Sequence, residues 1–261
     1  MLINSYRFGD ADANAYIAAV ETADGQALEA DTRAAITAFV VGCKADGIWY
    51  AIKASCILAG ARTLSGALVP LVGTAPTNNN FVSGDYNRKT GLVGNGSTKY
   101  LNSNRNNNAD PQNSKHMSVY VSTASTSTAV TYPEYIGGGT SFSGASNIGR
   151  LNSNGGLYFQ VNQGTAGAGI VSGIGGSTGF IGAARANASN IDYRAGSSTV
   201  NVSQASQTPR SVNIAVFIDL DNSGITGSNG RIAFYSIGES LTLSLLDSRV
   251  STLLSAISAA F

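Results

Sequence analysis

The spacing of apolar residues changes period between Gly230 and Ile257. The segment Gly230-Arg231-Ile232-Ala233-Phe234-Tyr235-Ser236-Ile237-Gly238-Glu239 reads as a half-buried strand, whereas Leu243, Leu246, Val250, Leu253, Leu254 and Ile257 fall on one stripe at helical spacing. A strand therefore feeds a closing helix over about 242–258. Thr242 or Ser244 stands where a side-chain oxygen can cap the first orphan amides of that helix.

A second change of texture falls near Pro76. Between residues 10 and 62 proline is scarce and apolar residues recur at helical spacing. Asp10 can cap a first helix that carries Tyr16, Ile17 and Val20 and ends at Asp24-Gly25. A second helix is predicted over about 28–46, with Ile36, Phe39, Val40 and Cys43 inward, and a third over Ile48, Trp49, Ile52 and Cys56, ending before Gly60. After Pro76 the chain becomes rich in Asn, Ser, Thr and Gly, with short β-branched and aromatic runs near 99–101, 117–122, 132–136, 156–161, 179–183, 191–194, 199–202, 212–218 and 231–237. Short strands with turn chemistry at Asn187–Asn190, Ala195–Ser198 and Asp221–Gly224 predict an all-β sandwich, and the glycine-rich run 164–182 reads as long loops around strands. The expected organisation is a helical anchoring and assembly region, 1–75, followed by a sandwich domain, 76–261.

Composition closes off several classes of function. With 12% charged residues and a net charge of +1, the chain lacks the clustered Lys and Arg that phosphate neutralisation requires, which argues against nucleic acid as a partner. The first residues lack the pattern of a secretory signal, and the most apolar stretch, 56–73, is broken by Arg62, Ser65 and Pro70, so no membrane insertion is expected. Cys43 and Cys56 read as two small apolar residues in a helix interface rather than as a disulfide or redox pair. His116, the sole histidine, reads as a surface or strand-end residue.

The terminal strand and helix, together with Gly91-Leu92-Val93-Gly94-Asn95-Gly96-Ser97-Thr98-Lys99-Tyr100-Leu101, His116–Val121, Gly156–Asn162 and Ile191–Gly196, resemble the concanavalin A-like, laminin-G-type jelly rolls found in proteins of tailed bacteriophages. The resemblance covers roughly 80–261, and its most specific piece is the ending. It implies a mainly β fold, an antiparallel jelly-roll sandwich with a small N-terminal helical region and a C-terminal helix. It also implies a structural virion protein, made in the host cytoplasm and displayed on the particle as a capsid decoration or tail fibre subunit, with other virion proteins as partners.

Two other functions fit the same fold. Glycosidic hydrolysis ordinarily needs two carboxylates about 5–10 Å apart. Beyond residue 76 the only glutamates are Glu134 and Glu239, and Glu134 has no acid within twenty residues, so no catalytic residue is assigned and the chain is expected not to be an enzyme. No Gly-x-Ser-x-Gly elbow is present either. Glycan binding without catalysis is the stronger alternative, because Asn104, Asn106, Tyr132, Tyr135 and Tyr193 offer amides and aromatic platforms for attachment to host-surface glycans. Asp219 and Asp221 open what resembles the first half of a calcium loop, but an EF-hand's bidentate Glu would fall at Gly230, so a polar hairpin is the preferred reading and no cofactor is expected. Phe39, Ile48, Trp49 and Leu64 are candidate assembly residues, and they predict a homo-oligomer, most simply a trimer, covering apolar helical surface.

Overall fold

The computed structural model describes residues 9–128, 132–139, 143–151, 155–163, 170–171, 178–221 and 227–261. The chain begins with α1 (Ala11–Asp24) and α2 (Ala30–Ala45), continues through β1 (Ile52–Ile57) and a single helical turn, α3 (Leu64–Ala67), and then enters a series of strands. These are β2 (Thr77–Asn79), β3 (Tyr86–Asn87), β4 (Gly91–Val93), β5 (Tyr100–Asn106), β6 (Lys115–Thr123), β7 (Glu134–Gly138), β8 (Ala145–Arg150) and β9 (Leu157–Gln163). After them come β10 (Ile170–Val171), β11 (Gly179–Arg185), β12 (Asn190–Ala195), β13 (Ser198–Ser203), β14 (Asn213–Val216), β15 (Arg231–Gly238) and α4 (Leu243–Ala259).

The strands form two antiparallel sheets. The first runs β13-β12-β11-β6-β15-β4-β3, with β1 also paired to β15; the second runs β10-β9-β8-β7-β14-β5-β2. Packed face to face, they make the jelly-roll sandwich. Leu92, Met117, Val119, Val121, Ile136, Phe159, Val161 and Tyr235 fill the space between them. A second apolar layer lies outside the first sheet, where Phe39, Val40, Leu246, Val250 and Ile257 of α2 and α4 meet Phe180 and Phe234. Leu243, Leu246, Val250, Leu253, Leu254 and Ile257 are all buried, so the stripe read from the sequence is the face α4 lays on the sheet.

Local signals hold at both ends of α1, whereas Thr242, at the N-cap of α4, makes no side-chain capping hydrogen bond. Asp10 Oδ1 accepts from the amides of Asp12 and Ala13 at 3.0 and 3.2 Å, and Gly25 closes α1 in the left-handed conformation that a side chain would disfavour. The β12–β13 turn places Gly196 and Ser197 both at positive φ, the geometry of a tight hairpin. At Asn187, the side-chain oxygen caps the amides of Ser189 and Asn190. The Asp221–Gly224 turn and most of the 164–182 run lie outside the described residues.

The third helix is not formed. Trp49–Ala51 makes one tight 3-10 turn, and Ile52–Ile57 is a strand whose Cys56 and Ile57 pair with Tyr235 and Phe234. Both faces of this strand are covered: Ile52 and Ile57 join the helix-side layer, while Ala54 and Cys56 enter the sandwich interior. A strand buried on both sides has no polar alternation, and its apolar spacing is indistinguishable from that of a buried helix. The first sheet thus takes in residues on the N-terminal side of Pro76. Cys43 and Cys56 are free and buried in separate layers, Cys56 donating its S–H to the Tyr235 hydroxyl at 3.4 Å.

His116 is also not at the surface. It lies in β6, fully buried, with Nδ1 donating to the Glu239 carbonyl at 2.6 Å and Nε2 accepting from Ser236 Oγ at 2.9 Å. Burial pushes its pKa down to about 4. No alternation placed it there, because neighbouring strands, not its own sequence, close over it.

Candidate functional site

The outer side of the second sheet carries a buried polar cluster. Along β9, Leu157, Phe159 and Val161 point into the sandwich, so Tyr158 and Gln160 point out; in β8, Asn147 and Gly149 sit opposite them. Gln160 Oε1 accepts from Tyr158 OH at 2.6 Å and from Asn147 Nδ2 at 3.0 Å, while Asn147 Oδ1 accepts from the Gly138 amide at 3.1 Å. Two glycines make the room. A Cβ at Gly137 would stand 2.2 Å from Asn147 Oδ1, and one at Gly149 would stand 3.0 Å from Glu134 Oε2.

Glu134 reaches this face from the start of β7, paired with Gly149. Burial holds the Tyr158 hydroxyl well above the ordinary phenol range, and the Glu134 carboxylate, with Asp219 behind it, adds to the shift. Asp219 is buried and its Oδ1 accepts from the amides of Gly139 and Asp221 at 3.0 and 2.9 Å. Two carboxylates that stand far apart in sequence thus act on one tyrosine. Above it, the half-buried ring of Tyr132 packs against Tyr158 at a tilt of 40° with centroids 5.5 Å apart, giving the cluster an aromatic edge toward solvent.

The glycan-contact candidates divide. Tyr132 belongs to this cluster. Tyr135 is in the sandwich interior, where its hydroxyl accepts from the Ser125 amide at 3.0 Å, and Tyr193 is buried flat against Phe159 at 4.7 Å. Neither has a ring free to meet a ligand. Asn104 is exposed, but its Nδ2 donates to the Ala75 carbonyl and Thr77 Oγ1, holding β2 to β5; Asn106 Oδ1 caps the Asn108 amide. Gln160, Asn147 and Tyr158 escape a reading of the sequence because the alternation that turns them outward is the same that any half-buried strand shows. Asp221 is paired with Arg210, and among the described residues no three His, Cys, Asp or Glu gather as a metal site.

The assembly candidates are covered within the chain itself. Phe39, Ile48 and Trp49 are buried in the layer between the helices and the first sheet, and Leu64 is half-buried against the sandwich interior. The closing helix and sheet supply the apolar contact for which a partner subunit was expected. No helix among the described residues is long and apolar enough to cross a membrane.

At one end of the sandwich lies a buried group of charges. Arg105 grips Asp110 with two hydrogen bonds, Lys115 Nζ donates to the Asn107 carbonyl at 2.7 Å, and Arg185 donates to the carbonyls of Val161, Asn187, Asn190 and Gln204. Burial lowers the Lys115 pKa to about 8.

No protein-family model matches this sequence, and no curated protein matches it. Solved structures do share the fold. Trypanosoma rangeli sialidase, solved with a difluorinated KDN, matches 79% of this chain and 33% of its own at a TM-score of 0.50 and 10% identity. The binding domain of botulinum neurotoxin serotype D matches 77% of this chain and 51% of its own, at 0.50 and 14%. Domains LG4-5 of the mouse laminin α1 chain match 67% of this chain and 47% of their own at 0.39 and 14% identity. The chain therefore spans about a third of the sialidase and half of the toxin domain. The shared architecture is the antiparallel β-sandwich. The expectation that this chain is not an enzyme is corrected here, because the fold occurs within a sialidase. Glu134 and Asp219, isolated in sequence, both bear on the Tyr158 hydroxyl, from opposite ends of β7.

Proposed function

We propose that this protein is a carbohydrate-recognition β-sandwich that uses the outer face of the second sheet, displayed on a tailed-bacteriophage particle to engage host-surface glycans. The observation that carries the recognition is the half-buried Tyr132 ring, held over the buried Tyr158–Gln160–Asn147 cluster. The buried amides and phenol fix one another on rigid strands beneath it, and the exposed aromatic edge suits the apolar face of a pyranose. The name of the sialidase supports this class of ligand. The virion setting is supported by the resemblance of residues 80–261 to phage jelly rolls, with decoration or fibre subunit as its two forms.

The test is a glycan array with the full-length protein and its Tyr132→Ala variant, with release of reducing ends measured on every glycan that binds. Retention of a defined glycan by the wild type, weakened about tenfold without Tyr132, is the expected result. Absence of binding across the array, or binding indifferent to Tyr132, removes this site. Antibody labelling of purified particles checks the setting.

A further inference from the structure

On the opposite side of the molecule a groove of about 390 Å³ opens between α1 and the start of β1. Its walls are Asp12, Ala15 and Tyr16 of α1, with Trp49, Tyr50 and Leu71 facing them. Among the described residues Tyr50 is the most exposed large apolar side chain, at 77%. Trp49 and Tyr16 are buried except where they line the groove. Among the described residues no acceptor takes the Trp49 indole N–H or the hydroxyls of Tyr16 and Tyr50. Three aromatic rings with unclaimed polar tips therefore surround an open space.

We infer that this groove is a second carbohydrate subsite, for a neutral sugar ring stacked on Tyr50 with its hydroxyls meeting the Trp49 N–H, the Tyr16 hydroxyl and the Asp12 carboxylate. The charge at its rim selects among sugars. Lys44 Nζ lies 2.6 Å from Asp12 and 2.7 Å from Asp10, one cation shared between two carboxylates, so the rim is net acidic and opposes sialic or uronic acids. A purely apolar occupant would leave the three aromatic tips without partners, which costs more than leaving them to water. The inference takes its ligand class from the proposed function but not its location.

Trp49 is the only tryptophan in the sequence, so its emission reports on this groove alone. The full-length protein is titrated with the methyl glycosides of glucose, galactose, mannose and N-acetylneuraminic acid. The expected result is a saturable change in emission with at least one neutral glycoside and none with the sialoside. Tyr50→Ala, at a residue too exposed to disturb the fold, weakens that titration at least tenfold with an unchanged unfolding midpoint, while Tyr132→Ala leaves it as in the wild type. Silence with all neutral glycosides, wild-type affinity in Tyr50→Ala, or emission that changes with protein concentration alone, as a second copy filling the groove would produce, overturns the inference. Because the array reads Tyr132 and the emission reads Tyr50, failure of one site is separable from failure of the other.

Discussion

The two sheets are built from the same kind of strand but present opposite outer faces. The first is covered by α1, α2 and α4, and its outward side chains are mostly apolar: Phe180, Ala184, Phe234, Ile52 and Ile57. The second turns Tyr158, Gln160, Asn147 and Glu134 away from the sandwich interior, where Tyr158, Gln160 and Asn147 bond one another. A sheet face must be either buried against another layer or supplied with polar partners. The helices bury one face under an apolar layer, whereas the other keeps buried polar side chains and leaves the Tyr132 ring half-exposed above them, and so the division between scaffold and site follows from where three helices settle.

The comparison breaks most visibly if the helix-covered face is emptied. Phe234 is fully buried and meets Phe39 edge-on with centroids 5.8 Å apart. Phe234→Ala is expected to cost about 3–5 kcal/mol in urea unfolding. A loss under about 1 kcal/mol would show that the helices contribute little to holding the sandwich.

The covered face has one polar thread, His116–Ser236–Ser118, and acid tests it. The folded-state pKa of His116 is pushed down to about 4 from 6.5, so the unfolded chain binds the proton first and stability falls as pH drops from about 6.5 to about 4. A decline of about 3 kcal/mol across that window follows from the size of the shift. Asp110, Lys115 and Arg105 are the charges that bear on the imidazole. His116→Gln, which keeps a hydrogen-bonding amide but cannot titrate, is expected to flatten the profile; an unchanged slope would assign the acid sensitivity elsewhere.

On the polar face, Asn147→Ala removes one donor to Gln160 and the acceptor of the Gly138 amide. The expected cost is about 1–3 kcal/mol, together with loss of glycan retention. Lost retention with unchanged stability would sharpen the contrast further, marking this face as kept for ligand rather than for folding.

The smallest effect belongs to the ion pair joining the helical layers. Arg249 contacts Asp46 at 2.7 Å with both side chains partly exposed, so Arg249→Ala is expected to cost no more than about 1 kcal/mol, less in high salt. A salt-independent loss of several kcal/mol would mean that the guanidinium, lying over Gly42, acts through packing.

Caps, stripes and turns are legible in the amino-acid sequence by itself: Asp10 and Gly25 bound α1, the leucine stripe is the face α4 buries, and the Gly196-Ser197 hairpin closes as its residues demand. Of the site, only Tyr132 is legible in the same way, because an aromatic beside a proline in a polar segment is visible as such. Each of these is decided by residues within a turn or two of one another, whose steric and hydrogen-bonding preferences act whatever the rest of the chain does. The tertiary structure decided what depends on distant partners. Ile52–Ile57 became a strand because β15 offers it an edge and apolar layers cover both its faces. His116 became a core residue because β15 and the turn at Glu239 close over it. Trp49, Phe39 and Ile48 found their cover inside the chain. Glu134 and Asp219 both act on Tyr158 because strand pairing across the second sheet places β7, β8, β9 and β14 side by side, a relation that no local spacing encodes.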